Sequence, residues 1–223
     1  MTPEDIIKTT DDAVEKLSET FVASPTLFYT ENDLVCSLYC LLHSHLGPLE
    51  IFDKDGCRHT LLHTEYPTPF RCDMAGANFQ VMSDDERKEK GNKYKRGHYD
   101  LVVLNPDFIR SHSYQVIKAQ HYDVFRQEAL TWSMENGAAV LFGIELMYSR
   151  NPLKQSRGTD KYKALNDYIK MVRQDADKLL ESVNIGFTQK ARMVVFIKGT
   201  SPDIAEFIRV QLSDGDKIMC CFA

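Results

Sequence analysis

No stretch of this chain approaches the roughly 18 uninterrupted apolar residues of a membrane-spanning helix, so no membrane partner is expected. The first segment, Met1 to Ala23, is amphipathic and acidic instead of apolar. It does not read as an export signal, and the chain is expected in the cytoplasm. The six cysteines are Cys36, Cys40, Cys57, Cys72 and the adjacent Cys220 and Cys221. They lack the paired CxxC spacing of zinc sites and are expected as reduced thiols. The sequence holds no GxGxxG or Walker loop, no GxSxG elbow and no HExxH. Those absences argue against nucleotide-cofactor, serine-hydrolase and zincin chemistry. Positive charge is also short: the net charge of −5 argues against a large basic surface, although a local basic strip remains compatible with it.

What is present is ordinary for a globular protein. Hydrophobic residues make up 43% and charged residues 26% of 223 residues, enough to bury one core without staples. A single domain is expected over 1–223, with an N-terminal helix in 1–25, a core over 30–198 and a helix and strand in 199–223. The pattern predicts a first helix from Thr2, Pro3, Glu4 and Asp5 to Ser24, and a second capped by Thr30 with Asp33 and running to about His45. Leu49 to Asp53 and Arg58 to Tyr66 read as a hairpin closed by Pro67 and Pro69. Arg71 to Arg96 has no periodicity and reads as a mobile charged loop.

A compact strand, Tyr99 to Leu104, follows and stops at Asn105 and Pro106. Helical spacing then covers Tyr114 to Glu135, ending at Asn136 and Gly137. Next come a strand from Ala138 to Met147, a long helix from Thr159 to Val183, a strand from Arg192 to Lys198, a helix from Ser201 and a strand from Lys217 to Phe222. The class is a mixed α/β sheet with helices packed on it.

Two acids are conspicuous. Asp100 interrupts the apolar run of its strand and Glu145 does the same within Ala139 to Met147. A lone buried charge costs several kcal/mol, on the order of that of any unpaired buried ion, unless a partner or metal compensates. Two acids in adjacent strands can converge on a hard cation such as magnesium; taken singly, each can instead sit at a sheet edge against an arginine or backbone amides.

A glutamate in a helix, a hairpin, an aspartate in an apolar strand, then glutamate, any residue and lysine in the next strand make up the pattern of the PD-(D/E)XK nuclease superfamily. The chain resembles it over about Thr30 to Lys198, through Glu31, through Asp100 in Tyr99-Asp100-Leu101-Val102-Val103, and through Glu145-Leu146-Met147. The resemblance implies a restriction endonuclease-like fold with an αβββαβ core, a mixed central sheet flanked by helices, an extra N-terminal helix and an inserted helix between the motif strands. It implies Mg2+ or Mn2+ held by Asp100 and Glu145, with Glu31, Asp100 and Glu145 as catalytic residues, and hydrolysis of phosphodiester bonds in nucleic acid, DNA ahead of RNA.

Two positions depart from the pattern. Tyr99 stands where proline precedes the aspartate, and Met147 stands where the lysine belongs. The lysine orients water and neutralises charge on the phosphate, so its loss opens an alternative: a catalytically degenerate member acting as a nucleic-acid-binding or protein-interaction subunit. Arg150, Lys154 and Lys178 are candidates for a substitute cation. Glu65 in His63-Thr64-Glu65-Tyr66-Pro67 is a further acid that can join the cluster or lie on the surface. The run Arg87, Lys88, Lys90, Lys93, Lys95 and Arg96 reads as a phosphate-holding arm or a solvated loop. Oligomeric state stays open, a homodimer included.

Overall fold

The computed structural model describes residues 1–73, 79–91, 93–150, 161–213 and 217–223. Helix α1 (Pro3–Ala23) opens with a capping box in which Thr2 and Asp5 exchange side-chain and backbone hydrogen bonds, which satisfies two of the otherwise orphan first-turn amides. Its stripe Ile6, Val14, Leu17 and Phe21 is fully buried. Helix α2 (Glu31–Leu46) repeats the device with Thr30 and Asp33, and Leu34, Leu38, Leu42 and Leu46, each four residues on, form its buried spine.

The expected hairpin divides. Strands β1 (Ile51–Phe52) and β2 (Arg58–His59) pair with each other alone, while β3 (Leu62–Asp73) belongs to the main sheet and runs straight through Pro67 and Pro69. The register against its neighbour shifts between Pro67 and Arg71. Proline cannot donate to a ladder, and a bulge at that point lets the strand continue.

The stretch 71–96, expected as a mobile loop, is structured where it is described. It holds the end of β3, strand β4 (Phe79–Gln80), helix α3 (Asp84–Glu89) and the first residues of β5 (Tyr94–Leu104). Ser83 and Glu86 cap α3, Met82 is buried, and the buried Arg71 donates to the Met82 carbonyl at 3.3 Å and to Asp84 at 2.6 Å. The anchor comes from a residue 11 to 13 positions away, which local periodicity does not report.

Asn105 and Pro106 end β5 as expected, but they also start helix α4 (Pro106–Ser111), with Asn105 as its cap. The helix expected over Tyr114 to Glu135 is two pieces, α5 (Tyr114–Ile117) and α6 (Tyr122–Asn136), and α4 is a further helix before them. Helix α6 ends at Gly137, whose φ of 90° suits glycine. Strand β6 (Val140–Ser149), helix α7 (Lys161–Asn184), strand β7 (Thr188–Ile197), helix α8 (Pro202–Leu212) and strand β8 (Ile218–Phe222) complete the chain.

The result is an α/β arrangement around a mixed six-stranded sheet in the order β4-β3-β5-β6-β7-β8. Strands β3, β5 and β6 form an antiparallel meander, and β7 and β8 run parallel to β6. Helices pack on both faces. Within β6, Glu145 meets α7 while Tyr148 turns to Phe21 of α1 and the Phe28 carbonyl. Residues of odd and even parity face opposite sides of a strand, so α7 and α1 lie across the sheet from each other. Among the described residues no helix is long and apolar enough to cross a membrane.

Candidate active site

The ladder between β5 and β6 ends with Leu101 opposite Ile144, and the next residue on each strand is Asp100 and Glu145. Beyond that pair two carboxylates take over from the backbone. Asp100 Oδ2 accepts from the Leu146 N–H at 2.6 Å, and Glu31 Oε2, from the first turn of α2, accepts from the Tyr148 N–H at 3.1 Å. Alternate amides of the strand edge are thus satisfied by side chains, which anchors both acids where the β5–β6 ladder ends.

Tyr99, the residue before Asp100, is locked in place. Its ring is fully buried, its hydroxyl shares a hydrogen bond with Thr188 at 2.9 Å, and it lies over Gly143. A Cβ at Gly143 would stand 2.8 Å from the Tyr99 ring, so this close approach requires glycine.

Glu145 is buried, and its Oε1 accepts from the ammonium of Lys178 on α7. Lys178 also donates to the His98 carbonyl at 3.3 Å and stands 3.8 Å from Asp175, one turn earlier on the same helix. Burial alone would lower the Lys178 pKa. The Glu145 and Asp175 carboxylates outweigh it and hold the ammonium above its ordinary value.

The acids respond in the opposite sense to their burial. Desolvation raises Asp100, against the opposing pull of the Leu146 amide, the Glu145 carboxyl and Lys178. Desolvation raises Glu145 well above the ordinary range, with Lys178 pulling it down and Asp100 pushing it up. Asp175 and Glu31 are also raised by loss of water. Asp100 and Glu145 follow the last ladder pair on adjacent strands, and each feels the other's charge or hydrogen bonding. One ammonium serves this pair, so the site is one positive charge short when both acids ionise.

Glu65 falls between Thr64 and Tyr66, which pair with Leu101 and Tyr99, and so stands across from Asp100. It is exposed and has a φ of 53°. A non-glycine residue in the left-handed region costs on the order of 1 kcal/mol or more, so the sheet holds this carboxylate beside the cleft against its local preference.

The positions singled out from the sequence therefore separate. Asp100 and Glu145 come together, and Glu31 joins at the strand edge. Met147, two residues beyond Glu145, is half-buried and packs on the core. Of the candidate cations, Lys178 reaches Glu145, whereas the Arg150 guanidinium is turned to the Tyr29 carbonyl and Lys154 lies outside the described residues. Asp175 was not anticipated. Its spacing from Lys178 on an amphipathic helix was visible, but i,i+3 pairs are common on any solvated helix.

Among the described residues no three or more His, Cys, Asp or Glu side chains stand in a ready-made metal-binding arrangement. The pair is still a suitable donor set, since magnesium keeps most of its waters and is held through one or two carboxylates. Comparisons with protein-family models, with curated proteins and with solved structures gave no match.

Proposed function

We propose that the cleft between β5 and β6 is the active site of a divalent-metal-dependent nuclease of the PD-(D/E)XK type, with Lys178 in the role of the lysine missing at position 147. The observation that carries the reading is the Lys178–Glu145 contact beside Asp100. It brings two strand acids and one ammonium together from three different elements. The element order supports it too: with β1, β2, β4 and α3 to α6 taken as additions, α2, β3, β5, β6, α7 and β7 read αβββαβ, with β3, β5 and β6 antiparallel neighbours and β7 parallel to β6.

Asp100 and Glu145 would hold Mg2+ or Mn2+, which supplies Lewis-acid activation of water and of a phosphodiester oxygen. Glu31, tied to the Tyr148 amide, orients the edge of β6 beside the pair. The raised pKa of Lys178 keeps it protonated at neutral pH, so it acts as a hydrogen-bond donor and charge partner for the phosphate, not as a base. The degenerate reading rested on the apolar residue at position 147. A cation delivered by α7 weakens it.

The test is cleavage of closed-circular DNA, single-stranded DNA and RNA with manganese by the wild type and by Asp100→Asn. Wild-type cleavage that falls by about 100-fold or more in the variant is expected, the loss typical of removing one transition-state charge partner. A folded wild type inert on all three substrates would overturn the reading.

A further inference from the structure

Arginines gather at the end of the sheet away from the carboxylates. Arg71 and Arg96 are cross-strand partners on β3 and β5, and both guanidinium groups lie over the ring of Tyr122, at 4.4 and 4.7 Å from its centroid. Arg126 on α6 and Arg87 on α3 border the same place. Arg126 Nε is 4.0 Å from Asp123, and Arg87 Nε is 3.3 Å from Asp84. Neither contact has hydrogen-bond geometry, and both Nε atoms are buried without an acceptor among the described residues.

The acids nearby are partly committed, although Asp123 Oδ1, facing Arg126, has no hydrogen-bond partner among the described residues. Asp84 serves Arg71 at 2.6 Å, Asp123 accepts the Asp84 N–H at 2.8 Å, and Glu86 accepts the Ser83 N–H at 2.6 Å. Arg96 is exposed and is in ion-pair contact with no carboxylate among the described residues. The exposed guanidinium of Arg96, laid on the Tyr122 ring, is suited to phosphate oxygens, and the partly exposed Arg126 borders it. The ring keeps Arg96 in place, so little of its side-chain entropy remains to be lost on binding.

We propose that Arg96 and Arg126 form an anchor for the phosphodiester backbone of the nucleic acid whose cleavage is proposed above, on which reading the identity of the ligand rests. Arg96 precedes Asp100 by four residues on β5, a distance of about 13 Å along a strand. Phosphates follow one another every ~3.4 Å along the axis of each strand of a duplex, so the anchor grips the backbone about four phosphates from the bond presented at Asp100. It holds and orients the chain and takes no part in the bond-breaking step.

The experiment is fluorescence-anisotropy titration of a labelled 20-nucleotide single strand and its duplex at several salt concentrations, with EDTA present to prevent cleavage. The proteins compared are the wild type, Arg96→Gln/Arg126→Gln, Arg96→Lys/Arg126→Lys and the remote control Lys8→Gln/Lys16→Gln. Arg71 is left intact because it is buried and anchors α3. The glutamine pair should weaken binding at least tenfold and make the slope of log K against log salt shallower by about 1 to 2, near one unit for each lost phosphate contact. The lysine pair should keep most of the slope, and the control should match the wild type.

An unchanged slope in the glutamine pair overturns the anchor and leaves the proposed active site standing. So does displacement of the oligonucleotide by inorganic phosphate at equal phosphate concentration, which would mark a site for free anion. Absence of binding by the wild type overturns the anchor as well. Binding with the predicted slope by a protein that cleaves nothing with manganese would keep the anchor and remove the nuclease reading.

Discussion

The ammonium of Lys178 and the carboxylate of Glu145 meet between α7 and β6, 33 residues apart in sequence, with both side chains about 90% buried, at 11% and 10% exposure. This contact puts a cation beside the strand acids from the helix that crosses them, while position 147 on the strand itself carries methionine.

Lys178→Met should reduce manganese-dependent cleavage by about 100-fold or more. Met147 shares a strand face with Glu145, and methionine and lysine are similar in length and unbranched. Met147→Lys in the Lys178→Met background should therefore restore part of the lost rate. Full activity in Lys178→Met would remove the lysine from the reaction.

Breaking the ion pair has a cost that replacing it avoids. Lys178→Met leaves Glu145 buried without its charge partner and should destabilise the fold by about 3 kcal/mol. Adding Glu145→Gln removes the stranded acid, and the double variant should recover much of that loss. Thermal melts of the two single variants and the double variant give the coupling. Strictly additive losses would contradict a direct pair.

Much of this architecture was legible beforehand. The caps at Thr2 and Thr30, the alternating elements after Asn136 and the isolation of Asp100 and Glu145 in apolar strands are local signals, and they survive in the fold. The α3 region was misread because its order depends on Arg71, a distant residue with a buried side chain. Lys178 was only one of three nearby cations in the sequence. Its position against Glu145 depends on how α7 crosses the sheet, which helical periodicity does not specify.

The raised acids set a pH dependence. A carboxyl whose pKa is higher in the folded state stabilises the protein below its unfolded value, near 4, and that contribution is lost as pH rises through the folded value. Asp100 and Glu145 therefore weaken the metal-free protein as pH increases from about 4 toward neutrality. Asp100→Asn, which keeps an oxygen for the Leu146 amide, should melt higher than the wild type by about 2–4 °C at pH 7.5 for a gain of roughly 1 kcal/mol, with the difference vanishing near pH 4. A lower melting temperature for Asp100→Asn at both pH values would mean that the carboxylate is a stabilising structural group.

Arg71→Met should loosen α3. It removes the contact with the Tyr122 ring and the hydrogen bond to the Met82 carbonyl, a loss of about 2 kcal/mol. Amide exchange in 82–90 should accelerate more than in α7. Unchanged exchange there would show that α3 is held by its own cap alone.

A metal site at Asp100 and Glu145 is tested by calorimetric titration of the wild type, Asp100→Asn and Lys178→Met with manganese at pH 7.5. A binding isotherm is expected for the wild type, its loss in Asp100→Asn, and binding that persists in the folded Lys178→Met protein, where the acids remain and the competing ammonium is gone. Equal heats for the wild type and Asp100→Asn, or no binding by the wild type at millimolar manganese, would contradict a metal site between β5 and β6.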